Sequence, residues 1–173
     1  MIKHWFSRPP PPQLRVLMVC MGNICRSPMA EGVLRAKLAA AGLADAVAVD
    51  SAATHGFHRG GPPDPRAVAQ ARRRGYDLAG QKSRPVQAAD FERFDLLLAM
   101  DHQNLEALRA RCPTPLQDRL GLLLAQAARP LDTDEVPDPY YGAVTAFDRA
   151  LDLIEPACDG LLLQLRQRLA LPG

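Results

Sequence analysis

The sequence predicts a three-layer α/β fold, a four-stranded parallel sheet with helices on both faces. Three observations carry that expectation. From Leu14 onward short apolar runs alternate with longer amphipathic ones, as in stacked βαβ units. The runs are bounded by helix-start and helix-stop residues. No internal repeat or domain-scale linker divides them, so the four βα units share one sheet. LRVLMV (Leu14 to Val19) reads as a buried first strand. A helix is predicted from Pro28 to Ala41, with Ser27 as N-cap, Pro28 at the first helical position and Gly42 as the stop. AVAVDS (Ala46 to Ser51) gives the second strand; a Gly/Pro-rich loop from Thr54 to Pro63 then leads to a helix from Asp64 to Arg74, ended by Gly75. DLLLAM (Asp95 to Met100) is the third strand, and Asp101 caps a helix from His102 to Ala110. Leu116 to Leu124 supplies the fourth strand, mixed with a helical turn. After a polar stretch from Arg129 to Gly142 comes a last helix, whose apolar positions Val144, Phe147, Leu151, Ile154, Cys158, Leu162, Leu165 and Leu169 step by three and four. Pro156 is expected to kink it near the middle.

Composition bounds the function. The 173 residues are 47% hydrophobic and 23% charged, which suits one globular domain over residues 14–173 and excludes a disordered, collagen-like or coiled-coil chain. Residues 1–13 read as a disordered Pro-rich extension in which Pro9 to Pro12 form a short polyproline II run. The net charge is +2, and only Arg72, Arg73 and Arg74 cluster, so no basic stripe suggests nucleic acid. Four cysteines (Cys20, Cys25, Cys112, Cys158) are too few and too unevenly spaced for a secreted disulfide scaffold, and reduced thiols are expected. No signal-peptide core and no membrane-length apolar run is visible, which points to a cytoplasmic protein without membrane insertion.

The chemistry concentrates in VCMGNICRSP (Val19 to Pro28), between a buried strand and a helix N-terminus. There α/β sheets bind ligands, and backbone N–H groups with the helix dipole favour an anion. The loop Met21, Gly22, Asn23, Ile24 and Cys25 can curl into a nest of N–H groups the size of a phosphate. Arg26 adds a planar fork for two phosphate oxygens. The same donors stabilise a thiolate on Cys20, so one loop provides both a nucleophile and its anion cradle.

VCMGNICRSPMAE resembles the active-site signature of the low-molecular-weight protein tyrosine phosphatases. The likeness continues through VDSAAT (Val49 to Thr54), PPDPR (Pro62 to Arg66), FDLLLAMD (Phe94 to Asp101) and DPYYG (Asp138 to Gly142), in the family's order. The resemblance implies a Rossmann-like sheet, a phosphocysteine intermediate, and neither metal nor other cofactor. Aryl phosphate hydrolysis needs in-line attack, a clamp on the equatorial oxygens and a proton for the departing oxygen. Those roles fall to Cys20, Arg26 and Asp138, the last on a Pro-rigid loop beside Tyr140 and Tyr141. Ser27 can hydrogen-bond the Cys20 sulfur or cap the helix, and Asn23 can hold the loop in a strained conformation. By resemblance Ser51 braces that loop, Asp101 joins the supporting network and Phe57 walls the slot opposite Tyr140 and Tyr141. Cys25 is a candidate redox partner for Cys20. His55 and His58 have an H-x-x-H spacing without a third ligand and are read as rim residues.

The expected ligands are a phosphotyrosine protein and, in the slot, inorganic phosphate or vanadate. The family in bacteria commonly acts on tyrosine kinases, so a phosphorylated kinase is the implied partner. An arsenate reductase of the same fold would need further cysteines after the second helix, where YDLAGQKSRPV (Tyr76 to Val86) has none. A non-catalytic phosphotyrosine-binding module would not need both Cys20 and Asp138.

Overall fold

The computed structural model describes residues 8–170. Four strands, β1 (Leu14–Cys20), β2 (Val47–Ala53), β3 (Leu96–Ala99) and β4 (Leu120–Leu122), form one parallel sheet in the order β2-β1-β3-β4. The helices are α1 (Arg26–Ala40), α2 (Pro65–Arg73), α3 (Asp90–Arg93), α4 (His102–Arg111) and α5 (Val144–Ala170). Side chains alternate across a strand, so β1 feeds two cores. Val16, Met18 and Cys20 face α1, α2 and α5, with Met29, Leu34, Phe147 and Leu161 buried among them. Leu17 and Val19 face α3 and α4, with Phe91, Phe94 and Leu105. The three-layer sheet is therefore as expected, and β1 lies at its centre because both faces of LRVLMVC are apolar.

The local departures have physical causes. Helix α1 begins at Arg26 rather than Pro28, its N-cap is Cys25, and no side chain caps it. Ser27 is not a cap because its hydroxyl is engaged elsewhere, as described below. Asp64 caps α2 through the Arg66 N–H at 2.8 Å, and Asp101 caps α4 through the Asn104 N–H at 2.7 Å. Strand β2 runs two residues further than expected, to Ala53, where it bridges Pro85. The short α3, absent from the expected order, carries Phe91 into the second core. Pro113 and Pro115 turn the start of the predicted fourth strand into a 3-10 helix (Thr114–Arg119), leaving three residues for β4. Helix α5 stays helical on both sides of Pro156. Of the N-terminal extension only residues 8–13 are described; Pro9–Pro12 have no regular structure. Among the described residues no helix is long and apolar enough to cross a membrane.

Candidate active site

Cys20 ends β1 at the carboxyl edge of the sheet, where the order of connections switches from β2 on one side to β3 on the other. The chain then bends through residues 21–25 into α1. Its carbonyls are held outward. The Cys20 carbonyl accepts from Thr54 N–H at 2.9 Å, Met21 from His55 N–H at 3.0 Å, Ile24 from Asp64 N–H at 2.7 Å and Cys25 from Met29 N–H at 3.2 Å. The Gly22 carbonyl accepts from the Ser83 hydroxyl at 3.0 Å. With these oxygens tied to the scaffold, the N–H groups of Gly22 to Cys25 have no protein acceptor among the described residues. Together with the unpaired first-turn N–H groups of α1 they form a run of free backbone donors, the kind of donor set that suits an anion.

Asn23 makes the bend possible. It adopts φ +56°, the left-handed region that a non-glycine residue enters at a cost. Its amide offsets that cost: Nδ2 donates to Ser27 Oγ and Ser51 Oγ, each at 2.9 Å, and Oδ1 accepts the Arg84 N–H at 3.1 Å. Because Ser27 Oγ accepts from Asn23, its own hydrogen is free for Cys20 Sγ, 3.0 Å away. At Gly22 a Cβ would stand 3.0 Å from the His58 ring, so a larger residue there would press that side chain aside.

Arg26 is the largest polar side chain in the interior, 2% exposed. Its Nη1 donates to Asp101 Oδ2 at 2.6 Å and to the Val136 carbonyl at 3.0 Å, while Nη2 stands 3.6 Å from Asp138 Oδ2. Burial works against the charge, but Cys20, Asp101 and Asp138 outweigh it and raise the guanidinium pKa further. Asp101 thus caps α4 and also accepts from Arg26. Asp138 is half-exposed, and its Oδ1 also accepts the Tyr140 N–H at 3.1 Å.

Around this floor stands a slot of about 230 Å3 lined by Cys20, Gly22, Arg26, Phe57, Asp138 and Tyr140, with Met21, Ile24, Cys25, His58 and Tyr141 completing it. Tyr140 and Tyr141 meet edge to face with centroids 4.8 Å apart. The ring nearest Tyr140 across the mouth is His58, at 6.4 Å, whereas Phe57 stacks on His55 at 5.4 Å. His58 is therefore a wall as well as a rim residue. Cys25 is buried; burial first, and then the charges of Asp64 and Cys20, push its thiol up to about 12. Cys112 and Cys158 lie in the two cores, and all four thiols are free. Among the described residues no cluster of His, Cys, Asp and Glu could hold a metal ion.

Sequence reasoning missed the braces behind the loop. Ser83 and Arg84 hold Gly22 and Asn23 from outside, and the Arg84 guanidinium is fixed between Asp50 and Asp90, each at 2.9 Å. Arg66 donates to the Tyr140 carbonyl at 2.9 Å and the Gly142 carbonyl at 3.3 Å, tying the Asp138 segment to α2. The S-R pair lies 61 positions from its partners, and no local signal marks it.

Residues 15–171 match the family model of the low molecular weight phosphotyrosine protein phosphatases. A low molecular weight protein-tyrosine-phosphatase of Streptomyces coelicolor is 44% identical over 158 residues, covering 89% of this chain and 94% of that one. A protein tyrosine phosphatase of Entamoeba histolytica, solved with Hepes in its active site, superposes with a TM-score of 0.86 at 37% identity, covering 90% of this chain and 99% of the other. Wzb of Vibrio vulnificus, solved with benzylphosphonate, superposes with a TM-score of 0.75 at 29% identity over 87% of this chain and 98% of that one.

Proposed function

The chain belongs to the low molecular weight phosphotyrosine protein phosphatases, a hydrolase family, and on that footing we propose that it hydrolyses phosphotyrosine and small aryl phosphates through a phosphocysteine intermediate. One observation carries the reading. A buried guanidinium and a loop whose carbonyls are tied outward surround the Cys20 sulfur with donors. Such a floor suits a tetrahedral oxyanion and would repel a cation.

Cys20 Sγ attacks the phosphorus in line as the bond to the aryl oxygen breaks. Arg26 and the loop N–H groups hold the equatorial oxygens, whose charge grows in the transition state. Asp138 gives its proton to the departing oxygen. In the second step the Asp138 carboxylate takes a proton from water, the water oxygen forms the new bond to phosphorus, the P–S bond breaks and phosphate leaves. Ser27, 3.0 Å from the sulfur, donates to the thiolate as it departs. The slot walls Phe57, His58 and Tyr140 favour an aryl ester, which reaches the floor where the shorter phosphoserine does not. The related Wzb structure carries benzylphosphonate, an aryl-methyl phosphonate of that shape.

A phosphorylated tyrosine kinase is the partner to test, and four free thiols accord with a reducing, cytoplasmic setting. The expected result is turnover of an aryl phosphate in EDTA, inhibition by vanadate, and loss of turnover with retained phosphate binding in Cys20→Ser. That variant also serves as a trap for phosphoproteins. Activity that depends on added metal would falsify the mechanism.

A further inference from the structure

The slot is the middle of a longer groove. Across Ile24, Phe57, His58 and Tyr140 it opens into a recess of about 390 Å3 that Arg59, Pro62 and Asp64 also line. On the other side Met21 leads to a second recess, of about 550 Å3, bounded by His55, His102 and Glu106. A phosphotyrosine seated on Cys20 leaves its backbone at the mouth, and an extended chain advances about 3.3 Å per residue. The residues flanking the phosphotyrosine on either side are therefore the ones that meet these recesses.

The two arms differ in charge. Arg59 is exposed and has no ion-pair partner among the described residues. Its backbone is nonetheless held: Arg59 N–H donates to the Gly56 carbonyl at 3.4 Å, Gly60 N–H to Ser83 at 2.8 Å, and Ser83 N–H to Gly61 at 2.8 Å. The same Ser83 braces the floor, so the cation stands on the scaffold that shapes the slot. The one carboxylate of this arm, Asp64, is already matched by Arg66 at 2.9 Å. The opposite arm carries Glu106, and His102 beside it is wrapped by Asp134 at 2.8 Å and Glu135 at 2.9 Å. Arg109, 2.8 Å from Glu106, only balances that acid. One arm thus offers an uncommitted cation, and the other an excess of acid.

We infer that the groove binds the substrate chain on both sides of the phosphotyrosine and selects an acidic residue on the flank that lies over Arg59, while the other flank rejects one. This rests on the phosphatase reading above and adds to it a substrate class, acid-flanked phosphotyrosine. The contact is solvent-exposed, so its effect is modest, about two- to five-fold, falls mainly on KM, and fades with salt.

The test uses three phosphotyrosine peptides on an alanine scaffold, one neutral, one with Asp two residues before the phosphotyrosine and one with Asp two residues after. An aryl phosphate is assayed alongside. Each is measured with the wild type, Arg59→Ala and Arg59→Glu, and the acid-to-neutral ratio of kcat/KM is read within each protein. One Asp peptide should exceed the neutral one about two- to five-fold in the wild type, the ratio should fall to about one in Arg59→Ala and below one in Arg59→Glu, and added NaCl should flatten it. A ratio equal on both flanks, absent, or unmoved by Arg59→Ala overturns the inference while hydrolysis of the neutral peptide leaves the phosphatase reading standing. No hydrolysis of any of the four substrates removes both.

Discussion

In the proposed mechanism Asp138 both holds a turn and moves a proton, and the two demands fall on different oxygens. Oδ1 accepts the Tyr140 N–H, and Oδ2 lies 3.6 Å from Arg26. Asparagine keeps an acceptor for the turn but has no proton to give. Asp138→Asn should therefore slow a poor leaving group by roughly 10²–10⁴ in kcat and an activated nitrophenyl ester far less, because only the poor one needs protonation. Equal slowing of both would make Asp138 a positioning residue. Cys25 presents a different residue-scale problem. With its thiol pushed up to about 12, it stays protonated beside Cys20 and does not compete as a nucleophile. As a redox partner it would act only after oxidation: once peroxide has converted Cys20 to a sulfenic acid, the Cys25 thiol would give its proton to the departing hydroxyl as its sulfur displaces it, so that an S–S bond forms and water leaves. Peptide mass mapping after peroxide should find Cys20 joined to Cys25, with activity restored by dithiothreitol. Sulfinic Cys20 without that crosslink would leave Cys25 a packing residue alone.

Helix α1 shows how far an element can be read from its own sequence. The strand, the bend and the helix that together place Cys20 and Arg26 were legible because each is specified locally, by a continuous apolar run, then Gly22 and Asn23, then a helical segment bounded by Pro28 and Gly42. What failed is instructive. Ser27 before Pro28 reads as a cap whether its hydroxyl faces a helix N–H or a sulfur, and only Asn23, which occupies its lone pairs, decides between them. The braces from Ser83, Arg84 and Arg66 were illegible for another reason, since each acts across more than 60 positions. Glu31, on the buried face of α1, is a further case. Burial raises its carboxyl from 4.5 to about 7, with Arg35, 3.4 Å away, opposing the shift. Between those two values the folded protein keeps a proton that the unfolded chain has lost. Stability therefore falls as pH rises through that window, and the penalty is complete above about 7. Glu31→Gln lacks the titration, so its stability relative to wild type should improve by no more than about 3 kcal/mol on going from acid to mildly alkaline buffer. Denaturant melts of both proteins across that range would show it, and parallel curves would mean that folding leaves the Glu31 carboxyl where it is in the unfolded chain.

Across the whole molecule, α5 packs against α1 and α2 and reaches the segment after β4, so it joins the floor of the slot to the far edge of the sheet. At its N-terminal end the contact is electrostatic as well as apolar: Arg74, at the end of α2, meets Asp152 and Glu155 at 2.9 Å each. Toward the other end the contact is steric. Gly160 faces the backbone of residues 126–128, and a Cβ there would stand 2.6 Å from the Ala128 nitrogen and 2.8 Å from the Ala127 carbonyl carbon, closer still to the Gln126 oxygen. Backbone cannot rotate aside as a side-chain tip can, so Gly160→Ala must push α5 or that segment outward. Overpacking of this kind costs ~1–3 kcal/mol, a Tm lower by several degrees in a protein of this size. The floor, by contrast, is pinned by its own hydrogen bonds to residues 54, 55, 64, 83 and 84, none of which belongs to α5. Gly160→Ala should then melt earlier yet keep the wild-type kcat on an aryl phosphate at temperatures where it is folded. A kcat that falls along with Tm would mean instead that the slot takes its shape from α5, and that the braces on the loop are not sufficient to hold it.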